Sequence, residues 1–140
     1  MRRVLFSGLL CGGLLAGAIA AEPVKIGFFM SITGRDASFG EVSLRGARLA
    51  VDELNAAGGV LGRPVELVVE DNRSIAGESA TAAKKLISRD KVVALIGEVS
   101  SGRSLEAGPI AQAAKIPMIA PAATNPKVTQ IGRSEEHTSE

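Results

Sequence analysis

The stretch VVALIGEVSSGRS, residues 92–104, decides the fold predicted for this chain. It begins with five apolar residues, Val92 to Ile96, a run typical of a strand buried on both faces of a parallel sheet. A small polar turn follows, and the pattern then becomes helical. In an open α/β sheet, ligands bind where a strand ends and the next helix begins. The first backbone N–H groups of a helix lack partners within the helix and favour an anion. We therefore predict that Ser101 and its neighbours bind the carboxylate of a small ligand.

Three further apolar runs predict strands, at residues 24–30, 64–70 and 116–120. Segments with helical spacing of apolar residues separate these runs, at residues 42–55, 75–89 and 102–115. Pro109 removes one backbone donor from the third helix and is expected to kink or split it. Alternating strands and helices with short connections predict an α/β fold with a doubly wound parallel sheet. Right-handed crossovers then place the loops after the four strands at one edge, at residues 31–40, 71–75, 97–101 and 120–126.

Both ends of the chain are predicted to lie outside the folded domain. Residues 1–20 combine a basic start, an uncharged apolar run and small residues at its end, which predicts a cleaved signal peptide, with an uncleaved anchor as the alternative. The only cysteine, Cys11, lies in this segment, so no disulfide is predicted for the mature chain. Residues 133–140, RSEEHTSE, are interpreted as a translated sequencing adapter or a disordered polar tail. Residues 21–132 remain as one domain.

The composition argues against nucleic-acid and membrane-surface partners. The formal net charge is +1, and the chain contains no Trp and no Tyr. The sequence therefore offers neither a basic patch for phosphate backbones nor an aromatic platform for stacked bases. Because the predicted signal peptide exports the chain, the expected location is the periplasm.

The predicted sheet edge offers little chemistry for catalysis. The serines of the 97–104 turn have no neighbouring base, since the only histidine, His137, lies in the tail. Glu70, Asp71 and Glu98 could form a carboxylate cluster, although single acids at strand ends more often face solvent or cap helices. No group of residues has metal-ligand spacing, so neither a metal nor a cofactor is predicted. The sequence favours a binding protein over an enzyme, and no catalytic residue is assigned.

Two other interpretations of the 97–104 turn stay open. Its sequence, GEVSSGRS, has the spacing of a phosphate-binding loop, which would make the chain a nucleotide-binding enzyme. Arg103 stands where that motif has lysine, and a planar guanidinium is not equivalent to a compact ammonium. A plain strand-to-helix turn capped by a serine is the structural alternative.

The loops at the predicted edge supply groups for a small amphoteric ligand with an apolar body. The hydroxyls of Ser100, Ser101 and Thr124, together with backbone amides, suit an oxyanion. A backbone carbonyl such as that of Ala122 suits an ammonium group. Apolar surface is expected from three residues, Phe39, Ala122 and Ala123.

Four segments of the chain carry a family resemblance, and they read VKIGFFMSITGRDASFG, RGARLAVDELNAAGGVLGRPVELVVEDN, VVALIGEVSS and IPMIAPAATNP. Together they resemble the amino-terminal lobe of type I periplasmic solute-binding proteins, the leucine/isoleucine/valine-binding group of ABC importers. The resemblance implies a truncated two-lobed clamshell that closes on a branched-chain amino acid, or a similar small carboxylate or amide. It also implies delivery of that ligand to a membrane permease. A ligand-sensing domain of a receptor or regulator is the alternative.

The resemblance assigns roles to individual residues. Ser101 is implied to bind the ligand carboxylate, and Ser100 stands beside it where some members of the family have a cysteine of a disulfide. Phe39 is implied to line the side-chain pocket, where branched-chain binders often have tyrosine. A backbone carbonyl and a hydroxyl near the polar head of the ligand are implied to come from one loop, Ala122, Ala123 and Thr124.

Overall fold

The computed structural model describes residues 21–131, which form a parallel sheet of four strands with helices on both faces. The predicted signal peptide and the predicted tail lie outside the described residues. The strands are β1 (Val24–Met30), β2 (Val65–Asp71), β3 (Ala94–Ile96) and β4 (Met118–Ile119). The helices are α1 (Ala37–Ala56), α2 (Glu78–Ser88) and α3 (Ser101–Ala113), and a short 3-10 helix covers Pro126–Gln130. No helix in this part of the chain is long and apolar enough to cross a bilayer.

Strand β1 occupies the middle of the sheet, because the strand order is β2-β1-β3-β4 with every neighbouring pair parallel. After β1 the chain moves to one side to form β2, and it then crosses back to form β3 on the other side. Such a reversal opens a crevice between the loops that follow the two central strands. The predicted α/β fold with a doubly wound parallel sheet is confirmed.

The side chains of β1 divide the core between the two faces of the sheet. Phe28 and Met30 pack with Leu44 of α1 on one face. Phe29 packs with Leu86 of α2 and Ala107 of α3 on the other face. Successive residues of a strand point to opposite faces, which is why the consecutive residues Phe28, Phe29 and Met30 of this covered strand are all apolar.

Helix α1 begins earlier than the sequence predicted. It starts at Ala37 instead of near residue 42, so Phe39 and Gly40 lie in its first turn and the loop after β1 is shorter than residues 31–40. Asp36 precedes the helix without a side-chain capping bond. Asp is a favoured residue type at this position, but the carboxylate of Asp36 pairs with arginines instead of capping the helix.

Three further expectations about element boundaries differ from the structure. Helix α3 is not split at Pro109 but continues from Ser101 to Ala113. Strand β3 begins at Ala94 instead of residue 92, because the backbone N–H of Val92 is bound to the carbonyl of Leu86 at the end of α2. Strand β4 is reduced to Met118–Ile119, and Pro117 before it has no backbone N–H to donate.

Replacing Gly40 by alanine is expected to destabilise the protein by about 1–3 kcal/mol, because an added Cβ would collide with the backbone carbonyl of Ser31. Gly46 is the matched control in the same helix, since a Cβ there meets nothing within 4 Å. Gly46→Ala is expected to raise the free energy of unfolding by up to about 1 kcal/mol through better helix propensity. Urea denaturation followed by circular dichroism measures both changes. A Gly40→Ala variant as stable as the wild type would contradict the close packing of α1 against the β1 loop.

Candidate ligand-binding site

The loops that follow the four strands meet at the carboxyl edge of the sheet, as predicted. The loop after β1 is joined to the loop after β2 by a hydrogen bond from the backbone N–H of Asp36 to Ser74 Oγ, at 3.1 Å. The loop after β1 is joined to the turn after β3 through Ser31 and Glu98. The turn after β3 is in contact with the loop after β4 through Ser101.

Ser101 joins the start of α3 to the loop after β4. Its Oγ accepts hydrogen bonds from the backbone N–H groups of Thr124 and Asn125, both at 3.1 Å. A hydroxyl has two acceptor positions and one proton. With both acceptor positions engaged by amides, the proton of Ser101 is left to donate to an acceptor in the crevice. Ser101 is also the first residue of α3, where backbone N–H groups lack partners within the helix.

A buried glutamate holds the turn after β3 in place. Glu98 has no exposed surface. Its Oε1 accepts from the backbone N–H of Ser31 at 2.8 Å, from the Ser31 hydroxyl at 2.6 Å and from Asn72 Nδ2 at 3.0 Å. Its Oε2 accepts from the backbone N–H of Ser100 at 2.7 Å. One carboxylate therefore fixes the ends of three strands relative to one another.

The hydrogen bonds to Glu98 keep it ionised. Burial raises the pKa of the Glu98 carboxyl, but hydrogen bonds from Ser31, Asn72 and the backbone N–H of Ser100 outweigh burial and leave the pKa below its ordinary value. A negative charge therefore lies beneath the turn that is predicted to bind an anion. The guanidinium of Arg103 lies 3.8 Å from Glu98 Oε2 and partly balances that charge.

Arg103 crosses the crevice from α3 to the other loops. Its Nη2 donates to Asp36 Oδ2 at 2.7 Å and to the backbone carbonyl of Ser74 at 3.2 Å. The hydrogen bond from Arg103 is the main reason that the pKa of Asp36 lies below its ordinary value. The Arg103 side chain is only 10% exposed. It thus ties the turn after β3 to the loops after β1 and β2.

A cavity of about 450 Å³ opens beside this arginine. Its lining comes from the loop after β1, the start of α1, the turn after β3 and the loop after β4, namely Arg35, Asp36, Phe39, Val99, Ser100, Arg103 and Ala122. The volume falls within the range of small-molecule sites. Three predicted site residues, Phe39, Ser100 and Ala122, therefore share one cavity wall. Phe39 remains 63% exposed.

The other predicted site residues lie at different positions around this cavity. Ser101 and Thr124 do not line it, but they meet each other at its edge through their hydrogen bond. Ala123 lines a separate hollow of about 240 Å³ between α3 and the 3-10 helix, with Val128 and Ile131. The structure thus brings five of the six predicted residues to the same rim and turns Ala123 away.

The acids at the strand ends do not form the carboxylate cluster that was considered. Asp71 Oδ1 accepts from the backbone N–H groups of Ile32 and Thr33, and Glu70 pairs with Lys85. Burial raises the pKa of Asp71. Hydrogen bonds, the strongest of them from the Thr33 hydroxyl, outweigh this effect, so the pKa lies below its ordinary value. Each acid serves a different local contact.

The side chains that a phosphate-binding loop would use are engaged elsewhere. The Ser104 hydroxyl is buried and lies 3.0 Å from the backbone carbonyls of both Glu98 and Ser100. Arg103, at the lysine position of that motif, is paired with Asp36. Ser100 stands at the N-cap of α3 without a side-chain capping bond, so the serine-capped turn is also not formed.

Sequence reasoning missed Asp36 and Arg103 as site residues and treated Glu98 as a solvent-facing or capping acid. A signal for the buried network was present in the pattern. Ser31, Asn72 and Glu98 each come directly after a strand or one residue later. Because the strands are parallel, their carboxyl ends lie side by side, and polar residues at matching positions there can meet.

Comparison with known proteins identifies the family. The family model described as periplasmic binding protein matches residues 23–132. The chain belongs to this family. An amino acid binding protein from Pseudomonas aeruginosa is 38% identical over 122 residues, which cover 87% of this chain and 32% of that protein. The aligned residues span only about one third of the length of the curated relatives that this chain matches.

Solved structures of amino acid binding proteins show the same fold. The branched-chain amino acid transporter substrate-binding protein LivJ from Streptococcus pneumoniae, in complex with isoleucine, superimposes with a TM-score of 0.76 at 39% identity. That match covers 78% of this chain and 31% of LivJ. The leucine-binding protein LivK from Thermotoga maritima gives a TM-score of 0.71 at 45% identity, covering 76% of this chain and 30% of LivK. The chain therefore corresponds to the amino-terminal lobe of such proteins.

Proposed function

We propose that residues 21–132 form the amino-terminal lobe of a longer, two-lobed solute-binding protein. This protein binds an amino acid, or a related small carboxylate or amide, between its lobes and delivers it to an ABC permease without chemical turnover. Residues 1–20 direct it to the periplasm as a cleaved signal peptide. The family supports this proposal, as do one similar protein solved in complex with isoleucine and another that is a leucine-binding protein.

The proposal rests on the contact between Ser101 and the loop after β4. Both loops expected to contact the ligand are joined by hydrogen bonds at one rim, next to the cavity that Phe39, Ser100 and Ala122 line. In this proposal Ser101 donates its hydroxyl proton to the ligand carboxylate, and the first N–H groups of α3 add to the attraction. The carbonyl of Ala122 and the hydroxyl of Thr124 contact the ammonium end, while Ala123 supports the loop from behind.

Isothermal titration of the full-length protein with the twenty amino acids and a set of small carboxylates and amides tests the proposal. We expect one-to-one binding of at least one amino acid, with the compound recovered unchanged afterwards. Uptake of the same compound by cells is expected to fall when the gene is deleted. Absence of binding across the whole set, or conversion of any compound to a product, would contradict the proposed role.

A further inference from the structure

Arg103 has hydrogen-bonding capacity that its protein partners do not use. Both of its hydrogen bonds, to Asp36 and to the carbonyl of Ser74, come from Nη2. Its Nη1 lies 3.8 Å from Glu98 Oε2, which is too far for a hydrogen bond. Within residues 21–131, Nε and Nη1 have no hydrogen-bond partner. The side chain is nine-tenths buried and forms part of the cavity wall.

The charges around this arginine cancel. Arg35 and Arg103 contribute two positive charges to the cavity region, and Asp36 and Glu98 contribute two negative charges. A ligand group beside Arg103 therefore meets free N–H donors in a region without net charge. An aliphatic group would cover those donors without pairing them, which is costly for buried polar groups. A second carboxylate would gain the hydrogen bonds but would approach two fixed carboxylates.

We propose that Arg103 donates a hydrogen bond to an uncharged oxygen in the side chain of the bound amino acid. The site then prefers an amide side chain over an aliphatic side chain of the same shape, and over an acidic one. This inference rests on the proposed function, since it assumes that the crevice binds an amino acid at all. It goes beyond that function by naming the class of side chain and the residue that selects it.

Isothermal titration of the full-length protein with pairs of matched shape tests this selection. The pairs are L-asparagine with L-leucine and L-glutamine with L-methionine, and L-aspartate and L-glutamate are the acidic comparison. We expect the amide of at least one pair to bind ten times more tightly than its aliphatic partner and than the corresponding acid. Arg103→Met keeps the unbranched stem and removes the donors, and it is expected to lower the ratio of the two affinities at least tenfold.

The affinity ratio separates recognition from a structural role. If Arg103 only stabilises the loops, Arg103→Met weakens both members of a pair by the same factor, the ratio stays unchanged, and the inference is overturned. Arg48→Met, on the exposed side of α1, is the matched control and is expected to change neither affinity. Should Arg103→Met fail to fold, Arg103→Lys keeps the charge and loses the planar fork, and it is expected to lower the ratio as well.

The wild-type protein alone already gives a decisive result. If neither amide binds more tightly than its matched aliphatic amino acid, the inference is overturned and the proposed function still stands. Failure to bind any amino acid overturns the proposed function and the inference together. The two failures are therefore distinguishable in one set of titrations.

Discussion

Ser101→Ala in the full-length protein is expected to weaken amino-acid binding by about ten- to hundredfold. The change removes the one hydroxyl whose acceptor positions are both engaged by the amides of Thr124 and Asn125 and whose proton faces no protein acceptor among the described residues. A hydrogen bond to a charged group is worth about 1.5–3 kcal/mol, which corresponds to that range of affinity. Isothermal titration with the ligand that binds the wild type most tightly measures the loss.

Two variants make this prediction specific to the hydroxyl at residue 101. Ser101→Thr keeps a hydroxyl and is expected to retain most of the affinity. Ser88→Ala removes a serine hydroxyl at the exposed end of α2, where it is bound to the carbonyl of Lys84, and is expected to leave the affinity unchanged. Wild-type affinity in Ser101→Ala would remove Ser101 from the site.

Glu98→Gln is expected to lower the free energy of unfolding by about 3–5 kcal/mol, because removing one member of a buried charged network leaves its partners uncompensated. The amide nitrogen of glutamine would face N–H and hydroxyl donors where the carboxylate accepts four hydrogen bonds. Arg103 would also lose a neighbouring negative charge. Urea denaturation of the full-length protein measures the change. Glu66→Gln, at an exposed position of β2, is the matched control and is expected to change stability by less than about 0.5 kcal/mol.

The same variant is expected to alter the response to acid. The pKa of Glu98 in the folded protein lies below the ordinary value of 4.5, so its stabilisation is complete above that pH and is lost as the pH falls through the folded-state pKa. The stability difference between wild type and Glu98→Gln should therefore shrink as the pH is lowered below 4.5. A difference that stays constant down to pH 3, about 1.5 units lower, would contradict a lowered pKa of Glu98 in the folded protein.

The strands were predictable because each contains an apolar run, although the bounds of β3 and β4 were predicted too wide. Val24–Met30 is apolar on both faces, and Gly58 and Gly59 follow the end of α1 with positive φ angles of 100° and 74°. The start of α1 was predicted too late. Asp36 is of a residue type that favours helix N-caps, but its carboxylate pairs with Arg103, which is 67 positions away in the sequence. Long-range contacts of this kind override local preference.

The sequence was sufficient to predict which loops meet at the site. It was not sufficient to predict which side chains pair with each other there. The carboxyl ends of parallel strands meet at one edge whatever the residues are, so Ser101 and Thr124 could be placed near each other. Arg103 was read only as a departure from a phosphate-binding motif. Nothing in its neighbours along the chain shows that it pairs with Asp36 or lies beside Glu98, since both contacts depend on the order of strands in the sheet.

In the proposed site, the two amide contacts of Ser101 also determine the orientation of the bound ligand. A cationic nitrogen brought against this hydroxyl would meet its proton, because neither lone pair is free to receive it. In the proposed site, the acid end of the ligand therefore docks at Ser101 and the amine points away from α3. A diamine of the same length and shape as the natural ligand should therefore not bind at this hydroxyl.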